Sequence, residues 1–131
     1  IGFLSEDTDK ISWEDYDCWL RISKITDRFY YLPKSLGFYW SGGGNTSNPQ
    51  QTISNCKAMY SNYINNHFDQ PPFWFSFSHG LALMRSGLFE ESVKVIKGLN
   101  YQDVSLMNVL KSKVVLLYSL ILASSFIKLK R

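Results

Sequence analysis

The chain has 131 residues, a mass of 15.2 kDa and a formal charge of +3, and it is 45% hydrophobic, 16% aromatic and 19% charged. That balance excludes a disordered chain, a collagen-like chain and a disulfide scaffold, and the length suits a single domain over residues 1–131. Four Trp, eight Tyr and nine Phe exceed what a core of this size needs, so part of the aromatic set belongs at a surface or an interface.

The chain opens on acid. Glu6, Asp7, Asp9, Glu14, Asp15 and Asp17 are six of the eleven acids, with Lys10 the one base among them. The rest of the chain, which ends in Lys128, Lys130 and Arg131, holds thirteen bases and five acids. Such asymmetry points to a partner for at least one end, although acids at a helix start and bases at a helix end also satisfy the helix dipole. Ile1–Lys10 has neither the basic flank, the apolar stretch nor the small-residue cleavage site of a secretory signal, so a cytoplasmic location is expected. Cys18 and Cys56 are then expected as reduced thiols in the core.

Ser12-Trp13-Glu14-Asp15 is a near capping box. Cys18, Ile22, Ile25, Phe29 and Leu32 follow at 4, 3, 4, 3 spacing, which predicts one apolar stripe of a first helix stopped by Pro33. Around Gly42-Gly43-Gly44 a flexible loop is predicted near 41–48; it lacks the Gly-Lys-Ser/Thr of a phosphate-binding loop. Asn48-Pro49 reopens a helix, as N-cap and first helical residue, with Ile53, Cys56, Tyr60, Tyr63 and Ile64 as its apolar face down to His67. Pro71-Pro72 separates it from a third helix, Phe73–Arg85. Gly87 breaks that helix; Phe89–Lys97 is a fourth, with Gly98 at the C-terminal glycine position. A long fifth stretch, or two with a bend, runs from about Asp103 to Lys128. Within it Val114–Ile127 is fourteen residues without charge, shorter than the roughly twenty of a membrane span, and is expected as a buried helix. No strand alternation is present. The expectation is an all-α, single compact domain of five or six helices.

Residues 73–106 carry a family resemblance. Gly80 and Ser92 are small residues where two helices would cross, Gly87 falls at the turn, Phe89 is the aromatic after it, and Leu83, Ile96 and Leu99 are the apolar positions around them. This resembles a tetratricopeptide repeat, a helix–turn–helix unit. Ser76 and His79 stand where that family has Trp and Leu, no proline closes the unit, and no second repeat lies in register. The resemblance implies a helical hairpin inside a helical domain and tilts function toward protein binding.

No catalytic pattern emerges. Cys18, Cys56, His67 and His79 have no metal-ligand spacing, and Ser78-His79 are sequence neighbours that point apart on a helix, so no metal, cofactor or enzymatic activity is expected. Arg21, Lys24 and Arg28 form one basic stripe, read as a solvated face beside the acidic segment rather than a nucleic-acid surface. The acidic segment is interleaved with Trp13, Tyr16 and Trp19. Carboxylates can meet the Lys and Arg of a nuclease active site while aromatics anchor the contact. In this and in its Asn, Tyr and Phe richness the chain is similar to small bacterial immunity proteins of contact-dependent inhibition systems. The similarity implies a protein partner, a cognate nuclease toxin, neutralised by covering its active site. The implied interface is Glu6, Asp7, Asp9, Trp13, Glu14, Asp15 and Asp17. The alternative function is a tetratricopeptide-like adaptor or chaperone that binds a peptide segment; membrane association through Val114–Ile127 is the minor one.

Overall fold

The computed structural model describes residues 2–4, 6, 14–38 and 48–129, with the side chains of 67 and 126–129 left aside. The protein is all-α. Among the described residues the main helices are α1 (Glu14–Ser23), α2 (Pro49–Met59), α3 (Phe73–Arg85), α4 (Phe89–Lys97) and α5 (Leu106–Leu129). A wide π turn, Tyr60–Ile64, and a last short turn, Asn65–His67, extend α2. The Gly-rich loop expected at 41–48 lies outside the described residues except for Asn48.

Local chemistry sets most boundaries. The Asn48 side chain accepts hydrogen bonds from the amides of Gln50 (3.0 Å) and Gln51 (3.3 Å), and Pro49 fills the first position, where no amide is needed. Gly87 ends α3 with φ +79°, a left-handed turn that glycine adopts without a Cβ penalty. Gly98 closes α4 differently from expectation: its φ is −85°, so the left-handed cap is absent there. Asp103 takes a φ of +57° in the turn before α5, which starts at Leu106, later than the sequence suggested.

The first helix is much shorter than its apolar stripe. It stops at Ser23, and Ile25, Phe29 and Leu32, read as stripe residues, are all exposed. Two causes act together. The β-branched pair Ile25-Thr26 and the Phe29-Tyr30-Tyr31 run are weak helix formers. The Thr26 hydroxyl also caps the amide of Arg28, an alternative to the helical bond. No described element covers the stripe, and helices of this length rely on packing.

Two small cores form. In the first, Cys56, Met59, Ile64 and Phe75 are buried together, with Tyr16, Leu20 and Tyr63 packed against them. The Tyr16 ring meets Trp74 edge-on, centroids 5.7 Å apart, and joins α1 to α3. Tyr60, expected on this face, stacks on Phe75 with ring centroids 6.5 Å apart and leaves its outer edge exposed. In the second core α4 folds back on α3, and α5 packs on α4. Ile96 is fully buried there, and a Cβ on Gly80 would lie 2.4 Å from Ile96 Cδ1. Gly80 therefore fixes the helix separation. Ser92 Oγ donates to the Gly80 carbonyl oxygen (2.8 Å) and lies 3.2 Å from Ser119 Oγ, so hydroxyls run across all three helices.

Candidate functional site

The acidic residues singled out from the sequence divide by location. Glu6 and Asp15 are exposed. Asp7, Asp9 and Trp13 lie outside the described residues. Glu14 is half-buried, with one carboxylate oxygen sealed from solvent. Asp17, expected at the interface, is only 2% exposed and faces inward in the free chain. Its carboxylate accepts from Arg21 Nε (3.1 Å) and from the Tyr63 hydroxyl. A buried carboxylate must be paired, and here one helical turn of α1 supplies the cation while α2's π turn supplies the hydroxyl. Burial, and then the carboxylate of Asp17 beside it, push the Tyr63 hydroxyl up to about 12. Arg21 also donates to the Phe3 carbonyl oxygen (3.0 Å), so this member of the basic stripe is structural.

Cys18 and Cys56 are both free thiols. Cys56 is buried and its thiol is pushed up to about 12 by desolvation, which makes it a poor nucleophile. Cys18 is half-buried. His79 is half-buried, and burial, then the nearby Lys57, hold its imidazole below the usual range. No group of three or more His, Cys, Asp or Glu side chains converges among the described residues.

The most distinctive surface is one the sequence reading assigned to the interior. α5 is a single helix of 24 residues, about 36 Å long. Its stretch Leu106–Ser125 is apolar over 20 residues and only 11% buried, so the expectation of a buried helix at Val114–Ile127 is not met. Two of its polar residues turn inward, while Asn108, Lys111, Lys113, Ser124 and Ser125 are exposed. Ser112 and Ser119, seven apart, are fully buried. Ser112 Oγ donates to the Val109 carbonyl oxygen (2.7 Å), which leaves Tyr101 to donate to Ser112 (3.0 Å). On the opposite side Met107, Leu110, Val114, Leu117 and Ile121 are each more than half exposed. Their spacing is 3, 4, 3, 4, the pattern of a coiled-coil seam. Lys111 and Lys113 flank the seam, and α5 contains no acid.

This seam was visible as spacing in the sequence. Val109, Val115, Leu116 and Leu122 make the helix apolar on its other sides too, which erases the amphipathic contrast that would single the seam out. A second exposed set, Phe29, Tyr30, Tyr31, Leu32, Leu36 and Phe38, lies on the non-helical segment after α1 and accounts for much of the aromatic excess. Neither protein-family models, nor curated proteins, nor solved structures give a match to this chain.

Proposed function

We propose that this chain acts by stoichiometric protein binding, with the outer face of α5 as its docking surface for an apolar helix of a partner protein. The observation that carries the reading is the seam Met107, Leu110, Val114, Leu117, Ile121, exposed on the side of the helix opposite the buried Ser112 and Ser119. An exposed heptad seam gains free energy by burial against a second helix, and Lys111 and Lys113 favour acidic residues along that helix's flanks. The hairpin of α3 and α4 with α5 stacked on it also suits the tetratricopeptide-like adaptor reading, since stacked helical units bury each face on the next. The more specific form of the proposal is a bacterial immunity protein that neutralises a nuclease toxin. Exposed Glu6 and Asp15 support it as steering charges; Asp17, engaged internally, has no part in it.

The test is affinity capture from the cells that make the protein, comparing wild type with Leu110→Asp/Leu117→Asp and with Glu6→Lys/Asp15→Lys. The seam pair is expected to release the partner while helicity by circular dichroism is kept. Retention of the same partner by the seam variant would sink the docking surface. If the captured partner is a nuclease, adding wild-type protein should abolish its cleavage in vitro. The Glu6 and Asp15 reversals should slow that inhibition at low salt.

A second reading rests on the length and hydropathy of Leu106–Ser125, which suffice to cross a bilayer. Against it stand the Ser92–Ser119 contact and the charged face of α4, with Glu90, Glu91, Lys94 and Lys97, which lies alongside α5. Flotation of the whole chain with phospholipid vesicles, resistant to alkaline carbonate, is the result that would favour the membrane and displace the helical partner.

A further inference from the structure

Between α2, the Pro71-Pro72 turn, α3 and the C-terminal end of α4 lies a cleft of about 440 Å³. That volume is within the usual range for small-ligand pockets. Its floor is apolar: Cys56 and Phe75 are buried to 1% and 3% exposure, with Val95 beside them. Its rim is basic, formed by Lys57 of α2, His79 of α3 and Lys94 of α4, with no acid among the lining residues. Three separate helices thus each bring one nitrogen base to one apolar hollow. Among the described residues neither lysine makes an ion pair, and His79 makes no hydrogen bond.

The helix dipole accounts for Lys94 and Lys97 at the end of α4. It accounts neither for Lys57 on a different helix nor for the hollow beneath. The same dipole end argues against a multiply charged phosphate, since it adds negative potential at the rim, and there is no arginine to grip one. A singly charged group on an apolar body matches both halves of the site.

We propose that this cleft binds an organic carboxylate with an apolar body: the body rests on Phe75, Cys56 and Val95, and the carboxylate lies between the ammonium groups of Lys57 and Lys94, where His79 can donate a further hydrogen bond. The carboxylate can belong to a free aliphatic acid or to the C-terminal apolar residue of a peptide. This site is separate from the α5 seam, and its fate does not depend on the docking proposal.

The test is calorimetric titration of the whole chain with decanoate below its micelle-forming concentration, against decanol and decyltrimethylammonium. Wild type is compared with Lys57→Met/Lys94→Met and with Ser76→Trp, which fills the cleft from its edge. Decanoate is expected to saturate at one per chain and to bind about tenfold more tightly than decanol. The lysine pair should erase that preference while leaving decanol binding unchanged, and Ser76→Trp should abolish both. Equal binding of decanoate and decanol to wild type overturns the proposal, as does decanoate binding that is unaffected by the lysine pair or by Ser76→Trp, or no binding at all. In a parallel arm, a short peptide ending in Leu is compared with its C-terminal amide. Tighter binding of the free-acid peptide than of decanoate identifies a protein C-terminus as the source, and weaker binding identifies a free acid.

Discussion

Ser92 of α4 donates its hydroxyl proton to the carbonyl oxygen of Gly80 on α3, 2.8 Å away. The bond can form because Gly80 has no side chain: any Cβ there would fall 2.4 Å from Cδ1 and 2.7 Å from Cγ1 of the fully buried Ile96. One contact thus ties the helix separation, the inter-helix hydrogen bond and the packing of fully buried Ile96 to a single missing methyl group.

Replacing Gly80 with Ala is therefore expected to destabilise the protein by about 1–3 kcal/mol through overpacking, against a gain of up to about 1 kcal/mol from better helix propensity. Ile96→Ala removes both clashing atoms and by itself costs about 2–5 kcal/mol. In urea unfolding the double variant should be more stable than the sum of the two losses, with a coupling of about 1 kcal/mol or more. Additive losses would show that the two residues do not constrain each other.

Ser92→Ala deletes the bond to Gly80 and takes from the Ser119 hydroxyl its neighbour on α4. A buried polar group stripped of its partner costs about 1–3 kcal/mol. Ser92→Ala/Ser119→Ala should then cost less than the two single changes added together, read from denaturation midpoints at constant slope.

The Asn48 side chain holds two amides at the start of α2. Asn48→Ala should lower stability by about 1 kcal/mol, and Asn48→Asp should recover most of the loss. A neutral Asn48→Ala would mean that the packing of Cys56 and Met59 alone sets this helix start.

Tyr63 and Cys56 are each held near 12 in the folded chain, against ordinary values of 10.0 and 9.0. Both are acids whose proton the folded state grips more firmly than the unfolded state does. Their contribution is complete below about pH 9 and is lost as pH rises toward 12. Thermal unfolding followed from pH 8 to 12 should show that decline, and Tyr63→Phe should flatten the part above pH 10. Alkylation at pH 8 in native buffer should leave Cys56 unmodified until denaturant is added. Native-state labelling of Cys56 at the rate of a free thiol would contradict its burial.

Local signals made much of the helix pattern legible in advance. Asn48-Pro49, Pro71-Pro72 and Gly87 act within one turn of where they stand, so the bounds of α3 and α4 and the start of α2 follow from the chain itself. The Gly80 and Ser92 pairing, twelve residues apart and on two helices, was expected from the resemblance to a tetratricopeptide hairpin and not from a local signal. Failures came where a distant element decided. The stripe Cys18 to Leu32 has helical spacing, yet with no described element to bury its second half the weak helix formers after Ser23 set the end. Asp17 resembled its acidic neighbours until Arg21 and Tyr63 closed on it.

By itself, then, the sequence determined that the chain is helical and where most helices begin and stop. Those properties rest on short-range sterics and hydrogen bonding. The spacing already placed Cys56, Tyr63 and Ile64 on the inner face of α2, but only the tertiary structure decided which side of α5 faces inward. For α5, apolar nearly all round, periodicity could not choose. Ser112 and Ser119 point inward because Tyr101 and Ser92 offer them hydrogen bonds there. That satisfies buried hydroxyls and leaves the seam from Met107 to Ile121 facing out.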